Sequence, residues 1–248
     1  MRLLSYVLKR QLQYHFSSKE INDQLSQDAF HLYVGQLDSQ KRLLLKSEVE
    51  QLNSFRDKID DEFLSGRIQL APAGAEALNK AVPRAGRLLR EIMDSPFDFS
   101  LDESYETDPD KLDFCADEKA LRERWRKELK YQTLSRYLTL MEEEGFEDPA
   151  EIPAEKAAEL EAVAREKILK RHENYLTRLE QETLQDHYDR YLNSITRAYD
   201  PHTAYLPPKS KEDFDISMRG SLEGIGATLR EEDGFVKVVS VVPGGDAN

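Results

Sequence analysis

The sequence predicts a mainly α fold: an N-terminal all-α helical domain followed by a short, incomplete β-rich segment. Three observations carry this. Apolar residues recur every three or four positions through most of residues 1–199, the period of helices with one buried face. After Arg219 glycines crowd the chain, at positions 220, 224, 226, 234, 244 and 245. Between those glycines lie two runs rich in β-branched residues.

The first helix is expected over 1–16, with Leu4, Val7 or Leu8, Leu12 and His15 near one face. Ser17-Ser18-Lys19-Glu20 offers a stop and a new N-cap, after which Ile21, Leu25, Ala29, Leu32 and Tyr33 point inward. Ser47-Glu48-Val49-Glu50 fits a capping box. Behind it Val49, Leu52, Phe55, Ile59 and Phe63 predict one helix ending at Gly66. A further amphipathic stretch runs from about Ala75 to Met93, with a kink or break expected at Pro83.

Residues 94–117 lack helical period and are acidic. Asp108-x-Asp110 invites a calcium reading, but Leu112 and Asp113 stand where that loop needs an acidic residue and a glycine, so a solvated acidic loop is expected. Helical period returns from Glu118 to about Glu144 and stops at Gly145. The longest run, Ala154 to Tyr199, predicts one long helix or two end to end. Its stripe is Leu160, Val163, Ile168, Tyr175, Leu179, Leu184, Tyr188, Tyr191, Ile195 and Ala198. Pro201, Pro207 and Pro208 then break the helix. Ile225–Arg230 and Phe235–Val242, joined by Glu232-Asp233-Gly234, read as a hairpin. Residues 211–248 are fewer than the ~40 a lone domain usually needs, so they read as the first part of a domain.

Composition limits function. Apolar residues make up 39% and charged residues 33%, which fits a folded, surface-rich helical protein. The net charge of −13 disfavours nucleic acid and weighs against docking on an anionic membrane through a basic patch. No apolar run approaches the ~18 residues of a membrane span. The start of the chain lacks the cleavage site of a signal peptide, which leaves either a cytoplasmic protein or one whose signal lies upstream. Cys115 is the single cysteine and sits among carboxylates that should raise its thiol pKa, so it is no nucleophile. The histidines lack metal-ligand spacing, and no metal or cofactor is expected.

Two motifs remain. Ser221-Leu-Glu-Gly-Ile-Gly-Ala227 precedes a strand. Its glycines allow backbone N–H groups to converge on an anion such as a peptide carboxylate, although a purely structural turn is the alternative. Asp200-Pro-His-Thr-Ala-Tyr-Leu206 tempts a triad reading. Residues two apart in a proline turn seldom aim at one point, so local hydrogen bonds that stiffen a domain junction are expected instead.

Taken together, Asp200-Pro-His-Thr-Ala-Tyr-Leu-Pro-Pro208, Phe214-x-x-x-Met218 and Ser221-Leu-Glu-Gly-Ile-Gly-Ala227 resemble the junction between the helical and PDZ domains of tail-specific, or C-terminal processing, serine peptidases. Asp28-Ala-Phe-His-Leu-Tyr-Val-Gly-Gln-Leu-Asp38, Ser47–Leu52 and Ser95-Pro-Phe-Asp-Phe99 resemble earlier parts of the same family. The resemblance implies a helical domain over 1–205 and a truncated PDZ domain over 211–248. It implies a periplasmic endopeptidase that degrades proteins with exposed C-terminal tails, with room for an adaptor protein. Leu222, Gly224, Ile225, Gly226 and Ala227 then match the carboxylate-binding loop and its pocket. The family's catalytic Ser and Lys lie beyond position 248, so the chain alone is expected to be inactive. The expected Gly-Gly-Pro-Ala reads Gly244-Gly245-Asp246-Ala247. The rival reading is a non-enzymatic helical interaction or adaptor protein.

Overall fold

The computed structural model describes residues 2–219, 226–232 and 235–241. The chain forms two compact units, Met1–Ala204 and Tyr205–Asn248. The first contains α1 (Arg2–Gln13), α2 (Asp23–Leu37), α3 (Lys46–Leu52), α4 (Ile59–Ser65), α5 (Leu70–Met93), α6 (Glu118–Glu143), α7 (Ala154–Glu180) and α8 (Leu184–Tyr199). The second contains α9 (Pro208–Arg219), β1 (Ala227–Glu232) and β2 (Phe235–Val241). The chain is thus mainly α with a small sheet near its C-terminus, the class its periodicities predict.

In the helical unit α5 is the hub, touching α3, α6, α7 and α8, while α2 packs along α8. Tyr33, Phe63, Leu88, Leu89, Trp125, Leu129 and Tyr191 are wholly buried there. A smaller cluster fills the far end of the α6–α7 pair, with Tyr137, Leu140, Met141, Ile152 and Leu160. Burial of this apolar surface is the main force holding the helices together.

Several local expectations shift. α2 starts at Asp23 because Asn22 caps it, its side chain accepting from the Leu25 N–H, so the Ser17–Glu20 segment is not the cap. Leu32 lies exposed on α2, whose inner face is Leu25, Ala29, Phe30, Tyr33, Val34 and Leu37. The predicted capping box moves: Leu45 is the N-cap of α3, and Glu48, not Glu50, reaches back to the Leu45 N–H at 2.8 Å. The single helix expected through to Gly66 is two, separated by a 3-10 turn at Asn53–Phe55. Gly66 does end the second, in the left-handed conformation at φ +67°.

Helix α5 begins five residues earlier than predicted and continues through Pro83. Pro72 sits in its first turn, where an N–H is not needed. The long run after Ala154 is two helices, because Thr183 caps α8 and Asp186 returns the bond to the Thr183 N–H. Leu184 is exposed at that new start, and His172 and Leu176 are buried on α7 instead. The proline-rich segment after Tyr205 also starts a helix not foreseen, α9, whose first residue is Pro208.

Candidate functional site

Strands β1 and β2 pair antiparallel, with Ala227 opposite Val241, Thr228 opposite Ser240 and Leu229 opposite Val238. Val239 is therefore the extra residue of a bulge, which sharpens local twist. Gly226, just ahead of β1, adopts φ +69°, a left-handed conformation that side chains resist. Leu229, Val236, Val238, Val239 and Val241 are all exposed. Among the described residues these two strands have no further neighbour, so each keeps one unpaired edge. Of the five residues predicted to bind a carboxylate, Gly226 and Ala227 lie at this strand mouth. Leu222, Gly224 and Ile225 lie outside the described residues.

The Asp200 motif is built into the end of the helical unit. Asp200 ends α8, and its Oδ1 accepts from the His202 backbone N–H at 2.9 Å. The Thr203 N–H donates to the Asp200 carbonyl at 3.0 Å. The His202 amide is the largest cause that holds the Asp200 carboxyl below the usual range, with the nearby His15 and the Ser17 hydroxyl adding to it. Thr203 Oγ1 meets His15, which arrives from just beyond α1, at 2.9 Å from Nε2. The Ser17 N–H donates to His15 Nδ1 at 3.0 Å, and Ser17 Oγ donates to Asp200 Oδ2 at 3.4 Å. Tyr199 adds a bond from its hydroxyl to the Leu12 carbonyl.

This is a clasp and not a catalytic triad. A general base must face the hydroxyl with an unprotonated Nε2. Here Nδ1 accepts a backbone N–H, which leaves the ring proton on Nε2, donated to Thr203. Asp200 reaches the main chain of His202 rather than its ring. The partner role of His15 has no local sequence signal, since it lies 188 residues from Thr203.

Arg42 lies against the Trp125 and Tyr175 rings, 5.1 and 4.9 Å from their centroids, and pairs with Glu128. Cys115 is buried and its thiol is pushed up mainly by burial, with Asp38 and Asp117 adding less than the sequence suggests. Among the described residues no group of three His, Cys, Asp or Glu side chains is placed to hold a metal. No helix among them is long and apolar enough to cross a membrane.

A family model described as the tail specific protease N-terminal domain matches residues 7–209. The chain belongs to this tail-specific protease N-terminal domain family. The matched segment spans nearly all of the helical unit and ends at the start of α9. The tail-specific protease of Haemophilus influenzae (strain ATCC 51907 / DSM 11121 / KW20 / Rd) is 26% identical over 239 residues, which cover 96% of this chain and 32% of that relative. The chain thus spans about a third of that tail-specific protease.

Proposed function

We propose that this chain is the substrate-receiving end of a serine-type C-terminal processing endopeptidase. Membership of the tail-specific protease N-terminal domain family carries this reading. In it, α9, β1 and β2 open a PDZ domain, and the free edge of the hairpin accepts an extended peptide as an added strand. Leu222, Gly224, Ile225, Gly226 and Ala227 form the loop that receives the peptide's terminal carboxylate. The left-handed Gly226 supports the idea, because such a conformation lets successive backbone N–H groups converge.

Hydrolysis then belongs to a Ser/Lys dyad outside these residues, and no serine or lysine of this chain is given that role. The proposed setting is the periplasm and the substrates are exported proteins with exposed tails. The test compares the product of the full reading frame with this chain alone, using an unstructured protein substrate with a free C-terminus and the same substrate amidated. Cleavage by the full product that favours the free carboxylate, with none by this chain, is expected. Cleavage by this chain alone, blocked by a serine-directed inhibitor, would falsify the assignment of the dyad elsewhere. Equal cleavage of both substrates would remove the carboxylate loop.

A further inference from the structure

A cavity of about 670 Å³ opens where the C-terminal half of α2 meets α3 and the 109–114 turn. That size falls within the roughly 300–1,000 Å³ typical of ligand sites. Val49 of α3 and Phe114 are half-buried apolar residues on its wall, while Phe30 and Val34 of α2 also line it but are almost fully buried. Asp110 and Asp113 stand exposed on its rim, and neither has an ion-pair partner among the described residues.

Gly35 lines the same cavity from the interior of α2. Glycine there is unfavourable relative to alanine, because it loses more backbone freedom on folding. The fold does not require it, for a Cβ built at Gly35 meets nothing within 4 Å, and its φ is not in the left-handed region. A glycine that no internal contact demands, facing an open groove, leaves room for something that approaches the helix backbone from outside.

Charge narrows what that is. The nearby cations already have partners within the unit. Lys41 Nζ donates to Pro109 and Leu112, at 2.8 and 2.5 Å, and Arg124 donates to Lys41 and Asp113. Lys111 pairs with Asp108. The carboxylates of Asp110 and Asp113 stay available, and the negative end of the α2 dipole points the same way. The net charge of −13 adds a favourable long-range field for a cationic partner.

We propose that this groove docks an amphipathic segment of a partner protein, one that seats an apolar side chain against Val49 and Phe114 beside Gly35 and sets Lys or Arg residues against Asp110 and Asp113. This site is built from residues of the helical unit alone, and the proposal does not depend on the protease reading.

The test uses the whole chain and fluorescein-labelled synthetic peptides, read by anisotropy. An amphipathic lysine–leucine peptide should bind, and its glutamate–leucine and lysine–serine counterparts should bind at least about tenfold more weakly. Gly35→Leu, whose Cβ meets no neighbour, extends a bulky side chain from the groove wall and should reduce binding by at least about tenfold, whereas Gly35→Ala should change it less than about threefold. The paired change Asp110→Asn and Asp113→Asn should weaken binding about five- to tenfold and flatten its dependence on salt. Circular dichroism melts confirm that each variant is folded. Wild-type binding by Gly35→Leu, an unaffected Asp variant, or equal affinity for the glutamate peptide would each overturn the proposal. Absence of saturation below about 1 mM would do so too. A dimer in sedimentation that Gly35→Leu dissolves would identify a second copy as the occupant and would equally overturn it.

Discussion

At Gly74 a single missing carbon lets two helices meet. A Cβ there would stand 2.1 Å from the Tyr33 hydroxyl oxygen and 2.9 Å from its ring, so Tyr33 on α2 passes directly over the α5 backbone. Gly74→Ala should cost about 1–3 kcal/mol by overpacking. Because the hydroxyl is the nearest atom, Tyr33→Phe should recover part of that loss in the double variant, which urea unfolding of the four proteins measures. Additive losses would show that the tyrosine oxygen is not the obstacle. His172 offers a second test at this scale. It is buried against Trp125, its ring centroid 5.3 Å away, with Nε2 2.7 Å from Gln132 Oε1. Burial, then the charges of Arg42 and Arg171, lower its pKa from 6.5 to about 3. The unfolded chain therefore binds a proton that the fold refuses between those values. The stability this provides is full above 6.5 and is lost as pH falls toward 3. At a pH near 4.5 the loss should be about 2–3 kcal/mol. His172→Gln should flatten that part of the pH profile of urea unfolding, whatever it does to stability at neutral pH. An unchanged slope would mean that His172 titrates alike in both states.

At the scale of elements, the connection between α2 and α3 is organised by one carboxylate. Asp38 is buried and accepts from the backbone N–H groups of Arg42, Leu43 and Leu44 at 2.8–2.9 Å. Burial raises its pKa, and those three bonds oppose the rise. Asp38→Ala leaves buried donors without an acceptor and should cost about 2–4 kcal/mol. Asp38→Asn, which keeps one carbonyl oxygen, should cost less; both are read from urea midpoints. Equal loss from the two would argue that charge rather than hydrogen bonding holds the turn. Elements like this explain what was readable beforehand. Helix α6 was legible to within one residue at each end, because Asp117 caps it and Gly145 follows it in the left-handed region. The clasp was half legible: Asp200 and Thr203 bond locally as their residue types suggest, while the bond from His15 bridges the length of the domain and leaves no local pattern. Helix α9 was hidden because Pro207-Pro208 reads as a breaker, although proline is well suited to a first helical position. The exposed Leu32 and Leu184 fit a period of three or four equally well as buried residues do, and only the neighbours of α2 and α8 decide their side. Glycine spacing pointed to the mouth of the hairpin, but spacing alone does not say whether its amides face a ligand.

For the molecule as a whole, the distribution of burial predicts how it comes apart. Every buried apolar side chain among the described residues lies between Leu12 and Tyr199, so the helical unit closes its core with its own residues. The described side chains of β1 and β2 are largely exposed, Val236 to 70%. A two-stranded ribbon with open faces is marginal by itself. The helical unit should therefore carry the cooperative transition, and a version ending at Ala204 should melt within about 2 °C of the whole chain. Native-state hydrogen exchange supplies the finer test. Amides of α2, α5 and α8 should exchange only through global opening, while those of β1 and β2 should exchange through local opening at much lower free energy. Denaturant titration separates the two routes, since local opening exposes little surface and responds weakly to denaturant. Hairpin protection equal to that of α5 would mean that the β segment unfolds together with the helices, and shortening the chain would then lower the melting temperature of what remains.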